Sequence, residues 1–283
     1  MSRIEQAMEK ASQLRRDYPP AVTDGTGYAQ QGGDSGRHNR LERHEPAVPV
    51  SSDNPLLVNL TQPFSAAAEE FRKVKAMLLS KTKENGFHNT IMVTSALPGE
   101  GKTMACLNLA VSLAEEFDHT VLLVEADLRR PTMHTFLTLE EKPGFSDCLL
   151  GEADLAEAIM PTGIGKLSII RAGHSVPNPS ELFSSQQTKN LVAEMKNRYP
   201  DRYIIFDTPP ILPFSEARSL GKLVDTTVFV VMERHASLQE IQESLDVLKG
   251  CPVLGMIYNN AEQVGHDKRY GYSQRYMQEH QAL

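Results

Sequence analysis

Three short segments hold residue types that can handle a phosphate chain. The first is Ala96-Leu-Pro-Gly-Glu-Gly-Lys102-Thr103, which follows the β-rich run Ile91-Met-Val-Thr94 and opens a helical stretch. It is the phosphate-loop pattern with Ala in place of the first Gly. Gly99 and Gly101 permit a tight turn that bares backbone N–H groups, and a helix N-terminus adds partial positive charge. Lys102 can neutralise β/γ-phosphate charge, and the Thr103 hydroxyl is placed to ligate Mg2+. The second segment is Val121-Leu-Leu-Val-Glu125-Ala-Asp127-Leu-Arg129, and the third is Tyr203-Ile-Ile-Phe-Asp207-Thr-Pro-Pro210. Each ends an apolar run in acid, and the C-terminal ends of such strands are where ligands bind in parallel α/β sheets. Asp207 suits a second metal contact, direct or through water.

These residues need a scaffold that brings three strand ends together. The β-rich runs Thr90–Thr94, Thr120–Val124, Leu167–Ile170, Tyr203–Phe206, Thr227–Met232 and Val253–Tyr258 alternate with helical stretches such as Thr103–Glu116, Gln186–Arg198, Glu216–Gly221 and Ser237–Leu248. Strands apolar on both faces, alternating with helices, predict a three-layer α/β domain with a mainly parallel sheet. A helical stripe (Phe71, Val74, Met77, Leu78) runs before the first strand to about Ser80. At the N-terminus, residues 1–17 read as a short amphipathic helix closed by Pro19-Pro20. Residues 18–60 hold many Gly, Pro, Ser, Asp and Asn and read as a flexible linker. The nucleotide domain spans 61–261, and 262–283 is a polar tail in which Tyr270, Tyr272 and Tyr276 crowd together, three of the chain's 8 tyrosines.

Composition narrows the function classes. The 283 residues carry a net charge of −7, which argues against coating nucleic acid through bulk charge. The tail's Lys268, Arg269 and Arg275 are matched by Glu262, Asp267 and Glu279, so it does not favour nucleic acid either. Three scattered cysteines (Cys106, Cys148, Cys251) form no CxxC pair and suit a reducing compartment. Cys106 reads as a small core residue, and His119 and His134 as surface or capping residues. The apolar runs are too short to span a bilayer, and no signal-peptide core opens the chain. The expected location is the cytoplasm.

Taken in order, the three segments resemble those of the bacterial tyrosine kinases of capsule and exopolysaccharide systems, relatives of the MinD/ParA ATPases. The resemblance covers roughly residues 62–276. Ser95–Thr103 matches S-x-x-P-G-E-G-K-[ST], Val121–Arg129 an apolar-D-x-D-x-R motif, and Ile204–Pro210 an apolar-D-x-P-P motif. Pro177–Leu182 matches P-N-P-x-E-L, and Gly255–Asn259 matches a G-x-x-x-N strand end that holds adenine. The short Glu5–Ala11 start is similar to the exosortase-associated tyrosine autokinase subgroup.

The resemblance implies transfer of the γ-phosphoryl of MgATP to Tyr270, Tyr272 and Tyr276 of a neighbouring copy. It assigns nucleotide contacts to Pro98, Gly99, Glu100, Gly101, Lys102, Thr103, Met104 and Asn259. Metal contacts fall to Thr103, Asp127 and Asp207, and catalytic roles to Lys102, Asp127, Glu125 and Asp207. A carboxylate, Asp127 or Glu125, would take the phenol proton. The family's ring-like self-association pattern E-x-x-R-x-x-R appears as Glu69, Arg72 and Lys75. A separate transmembrane chain-length regulator with a cytoplasmic tail would activate the kinase and recruit it to the inner face of the plasma membrane, and a tyrosine phosphatase would reset it. Two departures stand out: Glu125 replaces the family's first Asp, and Lys75 replaces an Arg and lacks its bidentate fork. The competing readings are a MinD/ParA-type ATPase switch and a non-catalytic nucleotide-binding scaffold of the export complex. Leu97-Pro98, where the MinD/ParA branch carries a Lys, weighs against the first.

Overall fold

The computed structural model describes residues 52–84, 86–198 and 201–262. Two units partition the chain, Met1–His44 and Glu45–Leu283, and every described residue falls in the second. The expected helix 1–17, most of the 18–60 stretch and the tail tyrosines Tyr270, Tyr272 and Tyr276 lie outside the described residues.

A seven-stranded sheet of order β3-β4-β2-β5-β1-β6-β7 runs through the domain. Its strands are β1 (Thr90–Ser95), β2 (Thr120–Glu125), β3 (Met160–Pro161), β4 (Leu167–Ile170), β5 (Arg202–Asp207), β6 (Thr226–Met232) and β7 (Val253–Asn259). All neighbours pair in parallel except β3, which is antiparallel to β4. The three-layer, mainly parallel architecture expected from the sequence is the one observed, with this short antiparallel edge added. Pro161 has no N–H to extend a ladder, which suits an edge position.

Successive side chains of a strand face opposite layers. Ile91, Val93, Leu123, Tyr203 and Ile205 join one core with α1 (Val58–Thr61), α2 (Ala66–Lys81) and α3 (Lys102–Ala114). Met92, Leu122, Val124, Ile204 and Phe206 join the other. That second layer is built by α4 (Phe145–Leu150), α5 (Leu155–Ala158), α6 (Pro179–Ser184), α7 (Gln186–Arg198), α8 (Glu216–Gly221) and α9 (Leu238–Val247). Local chemistry sets the helix starts. Ser65 accepts from the Ala68 N–H at α2, and Ser237 with Glu240 forms a reciprocal cap at α9, each cap adding about 1 kcal/mol.

Residues 52–60, which composition groups with the linker, pack on the domain. Leu57 is a buried plug among the residues of α2 and α3. The buried Asn59 and Asn108 interlock beside it: the Asn59 N–H donates to Asn108 Oδ1 at 3.1 Å, and Asn59 Nδ2 donates to the Asn108 carbonyl at 2.7 Å. Asn108 Nδ2 donates onward to the carbonyls of Leu56 (2.8 Å) and Met104 (3.0 Å). Periodicity gives no sign of such a plug, because one apolar side chain and two amides do the holding.

Because β1, β2, β5, β6 and β7 run in parallel, their C-terminal ends share one edge. The register places Glu125 of β2 opposite Asp207 of β5, and Val93 of β1 opposite the same Asp207. Asn108→Leu should lower stability by about 1–3 kcal/mol, because it leaves the buried Asn59 N–H without a partner and removes the bond to the Leu56 carbonyl. Urea unfolding reads this directly, and an unchanged midpoint would show that the amide pair holds nothing.

Candidate active site

The phosphate loop joins β1 to α3. Gly99 and Gly101 have φ of 87° and 83°, the left-handed region that glycine enters without strain. Gly101 also has no room for a side chain, since a Cβ there would lie 2.3 Å from Asn259 Nδ2. Glu100 was expected to touch nucleotide, yet its side chain is fully buried. Its carboxylate accepts the N–H of Leu97 at 2.7 Å and of Met232 at 3.3 Å, so only its backbone can face a ligand. Asn259, at the end of β7, donates its amide to the Glu100 carbonyl at 2.9 Å. A peptide unit is planar and trans, so its C=O and N–H point in opposite directions. Holding the Glu100 carbonyl outward therefore aims the Gly101 N–H inward. Pro98 and Gly99 are exposed, and Met104 lies half-buried beside Gly101.

Lys102 opens α3, and its side chain is almost wholly buried. Among the described residues no carboxylate lies within ion-pair distance of its ammonium, although Asp207 and Asp127 feel its charge. A buried cation without a contacting anion is costly, which suits Lys102 to an incoming phosphate. Thr103 sits one residue on, and its hydroxyl donates to Asp207 Oδ2 at 2.6 Å. Cys106, one turn further along α3, donates its thiol to Asp207 Oδ1 at 3.6 Å. Burial pushes the Cys106 thiol well above its ordinary range, which keeps it a donor. Cys106 is a core residue, as its sequence context suggests, and also a contact of the acidic site that no spacing announces.

Three acids of the second and third segments take different environments. Asp207 is almost fully buried, and that burial pushes its carboxyl up to about 7. The Thr103 hydroxyl and the Lys102 charge pull it down, while Asp127 and Glu125 push it further up. Asp127 is half-buried; burial raises it, and the Arg130 N–H at 3.0 Å and Lys102 oppose the rise. Glu125 is buried with both oxygens engaged. Oε1 accepts the N–H groups of Thr132 and Met133, both at 2.7 Å, and Oε2 accepts the Ala172 N–H at 3.1 Å. The extra methylene of Glu lets this carboxylate staple two loops to the end of β2. Thr103, Asp207 and Asp127 together offer the hard oxygen donors that Mg2+ takes in small number alongside phosphate and water.

Thr132 at this edge had no sequence signal, whereas Arg129 closes the second segment. Thr132 Oγ1 stands 3.1 Å from Thr103 Oγ1. Arg129 is fixed by buried Glu216 at 2.7 Å, and its guanidinium lies 4.8 Å over the Phe214 ring. The residues expected to mediate self-association lie on α2, away from the strand ends. Glu69 pairs with Arg72 at 2.7 Å, and Lys75 with Glu116 at 2.7 Å.

Asp207 also sets a pH dependence. Its folded value lies above the unfolded one, so its contribution to stability is present below about pH 4 and is lost as pH rises through about 7. The unliganded Asp207→Asn protein should therefore gain melting temperature over the parent at about pH 8 and not at about pH 4. Equal shifts at both pH values would contradict the buried, raised carboxyl. Glu125→Gln swaps one acceptor oxygen for an amide facing N–H groups. It should cost about 1–3 kcal/mol and speed hydrogen exchange at Thr132 and Met133; unaltered exchange would remove the staple.

The family model of the AAA domain matches residues 88–252. Tyrosine-protein kinase YwqD of Bacillus subtilis is 34% identical over 218 residues, covering 76% of this chain and 90% of that protein. Among solved structures, the kinase domain of Escherichia coli tyrosine kinase ETK is 30% identical with a TM-score of 0.68, covering 74% of this chain and 82% of the other. The chimerical protein CapA2B2 is 28% identical with a TM-score of 0.68, covering 75% and 92%. With this kinship added to a phosphate loop, a buried lysine and a Thr–Asp pair on one sheet edge, the chain belongs to the bacterial tyrosine kinases and is a protein-tyrosine kinase.

Proposed function

We propose that the chain is an autokinase that transfers the γ-phosphoryl of MgATP to Tyr270, Tyr272 and Tyr276 of a neighbouring copy. The observation that supports this best is the convergence of Lys102, Thr103, Asp127 and Asp207 on one edge of the sheet. Lys102 and the inward amides of the phosphate loop bind and orient the phosphates. Thr103, Asp207 and Asp127 would hold the metal, directly or through water, and their hard oxygens suit Mg2+. Mg2+, when bound, neutralises the charge that builds on the transferring phosphoryl group. Catalysis of this kind is mostly positioning and charge stabilisation.

The acceptor is a phenol with an ordinary pKa near 10, so its proton must leave as transfer proceeds. Asp127 takes that proton. Its carboxylate is half-buried and keeps free acceptor capacity, whereas Glu125 has both oxygens committed to backbone N–H groups. Glu125 then serves by holding the Thr132–Met133 turn against the site.

Self-association runs through α2. Glu69, Arg72 and Lys75 exchange their present pairs for pairs with a neighbour. The Glu69–Arg72 pair is part-exposed, and such pairs hold about 0–1 kcal/mol, so opening that pair costs little. Each phosphate adds about −1.5 to −2 charge, so a modified tail repels its neighbours and loosens the assembly until a phosphatase resets it. The cycle controls polymerisation and export of a capsule or exopolysaccharide. A transmembrane regulator with a cytoplasmic tail activates the kinase and holds it at the inner face of the plasma membrane. Among the described residues no helix is long and apolar enough to cross a membrane.

Mass spectrometry after incubation with MgATP should find phosphate on Tyr270, Tyr272 or Tyr276, and none in Lys102→Met. Mixing a Lys102→Met chain with a chain whose three tail tyrosines are Phe should label only the former. Phosphate release without tyrosine labelling would select the ATPase switch, and nucleotide binding with neither would select the scaffold.

A further inference from the structure

The turn after β6 reaches back to the phosphate loop. Met232 ends the strand, and the His235 N–H closes the turn onto the Met232 carbonyl at 3.2 Å. Arg234, between them, has φ 57°, a left-handed conformation that costs a non-glycine residue about 1–2 kcal/mol. The strand end that leads to the tail supports it. The Arg234 guanidinium meets the Glu262 carboxylate with two nitrogens, at 3.1 and 2.8 Å, and Glu233 accepts the Glu262 N–H. The Glu233 N–H in turn donates to the Asn259 carbonyl at 3.0 Å.

This turn directs the His235 ring at the loop. His235 Nε2 lies 2.9 Å from the Pro98 carbonyl oxygen, and a Cβ added to Gly99 would sit 3.7 Å from the ring. The Pro98 carbonyl and the Gly99 N–H belong to one trans peptide plane and point in opposite directions. Holding the carbonyl outward aims the Gly99 N–H inward. Asn259 does the same two peptide planes further on, through the Glu100 carbonyl and the Gly101 N–H.

We propose that His235 is a positioning residue of the nucleotide site, which presets the Gly99 amide for the phosphate chain and is itself held by the left-handed turn at Arg234. This rests on the loop binding nucleotide and not on the identity of the phosphoacceptor. His235 can donate from Nε2 either as the neutral Nε2–H tautomer or as the cation, so its role needs no charge.

Calorimetric titration of MgADP into the full chain tests this without any phosphoryl transfer. His235→Ala should weaken binding about three- to tenfold, the worth of one hydrogen bond. His235→Gln, which keeps a donor, should restore most of it, with the same ratio to the parent at about pH 6 and about pH 8.5. Arg234→Gly keeps the turn, because glycine adopts positive φ freely, and should bind like the parent. Arg234→Val should lose affinity, and the Arg234→Val/His235→Ala pair should be no weaker than His235→Ala alone. In phosphotransfer, His235→Ala should raise KM for ATP and leave kcat intact. Unchanged MgADP affinity in His235→Ala, a lost kcat at unchanged KM, or a His235→Gln defect that appears only as pH falls, when the imidazole is charged, would each overturn the proposal. Absence of phosphotransfer in every variant would instead remove the kinase cycle and leave the binding result standing.

Discussion

Glu100 lies fully buried in the middle of the phosphate loop, its carboxylate taking one N–H from Leu97 inside the loop and one from Met232 at the end of β6. A buried charge is tolerated only where hydrogen bonds replace the water it lost. In the observed arrangement of the loop both Glu100 oxygens are satisfied. In that arrangement the outward carbonyls of Pro98 and Glu100 meet His235 and Asn259. The amides behind them are left for an anion, which is what a phosphate site requires before any phosphate arrives.

The same device recurs across the sheet edge. Glu125 collects three backbone N–H groups, Asp147 collects that of Gly144 at 2.6 Å, and Glu216 takes Arg129 and Ser180. Each is a buried acid spent on holding loops in place. Asp207 differs from Glu125, since its partners are the Thr103 hydroxyl and the Cys106 thiol rather than backbone. Both are side chains of α3, so the acid binds the phosphate-loop helix to β5. Its raised carboxyl shows that this environment does not satisfy a charge well.

The sheet edge also joins the nucleotide loop to the start of the tail. Glu262 contacts Arg234 and Glu233, and the turn they hold touches Pro98 through His235. The ion pair is exposed and individually weak. Its value is geometric, since it supports a strained residue that aims a ring.

The sequence by itself determined the fold class and the phosphate loop, because both rest on local periodicity and fixed spacing. Strands apolar on both faces require two covering layers, and a lysine after two glycines at a helix start has few other uses. It also identified Asp127 and Asp207 as strand-end acids. It could not sort Glu125 from Asp127, because their difference lies in what surrounds them: three N–H groups from the distant residues 132, 133 and 172 converge on one acid, and only those of the adjacent Arg129 and Arg130 on the other. Nor could it separate the backbone role of Glu100 from that of its side chain, or give His235, Thr132 and the Leu57 plug any role. Those contacts join residues far apart in the chain, 137 positions in the case of His235 and Pro98. Only the stacking of parallel strands decides that they meet.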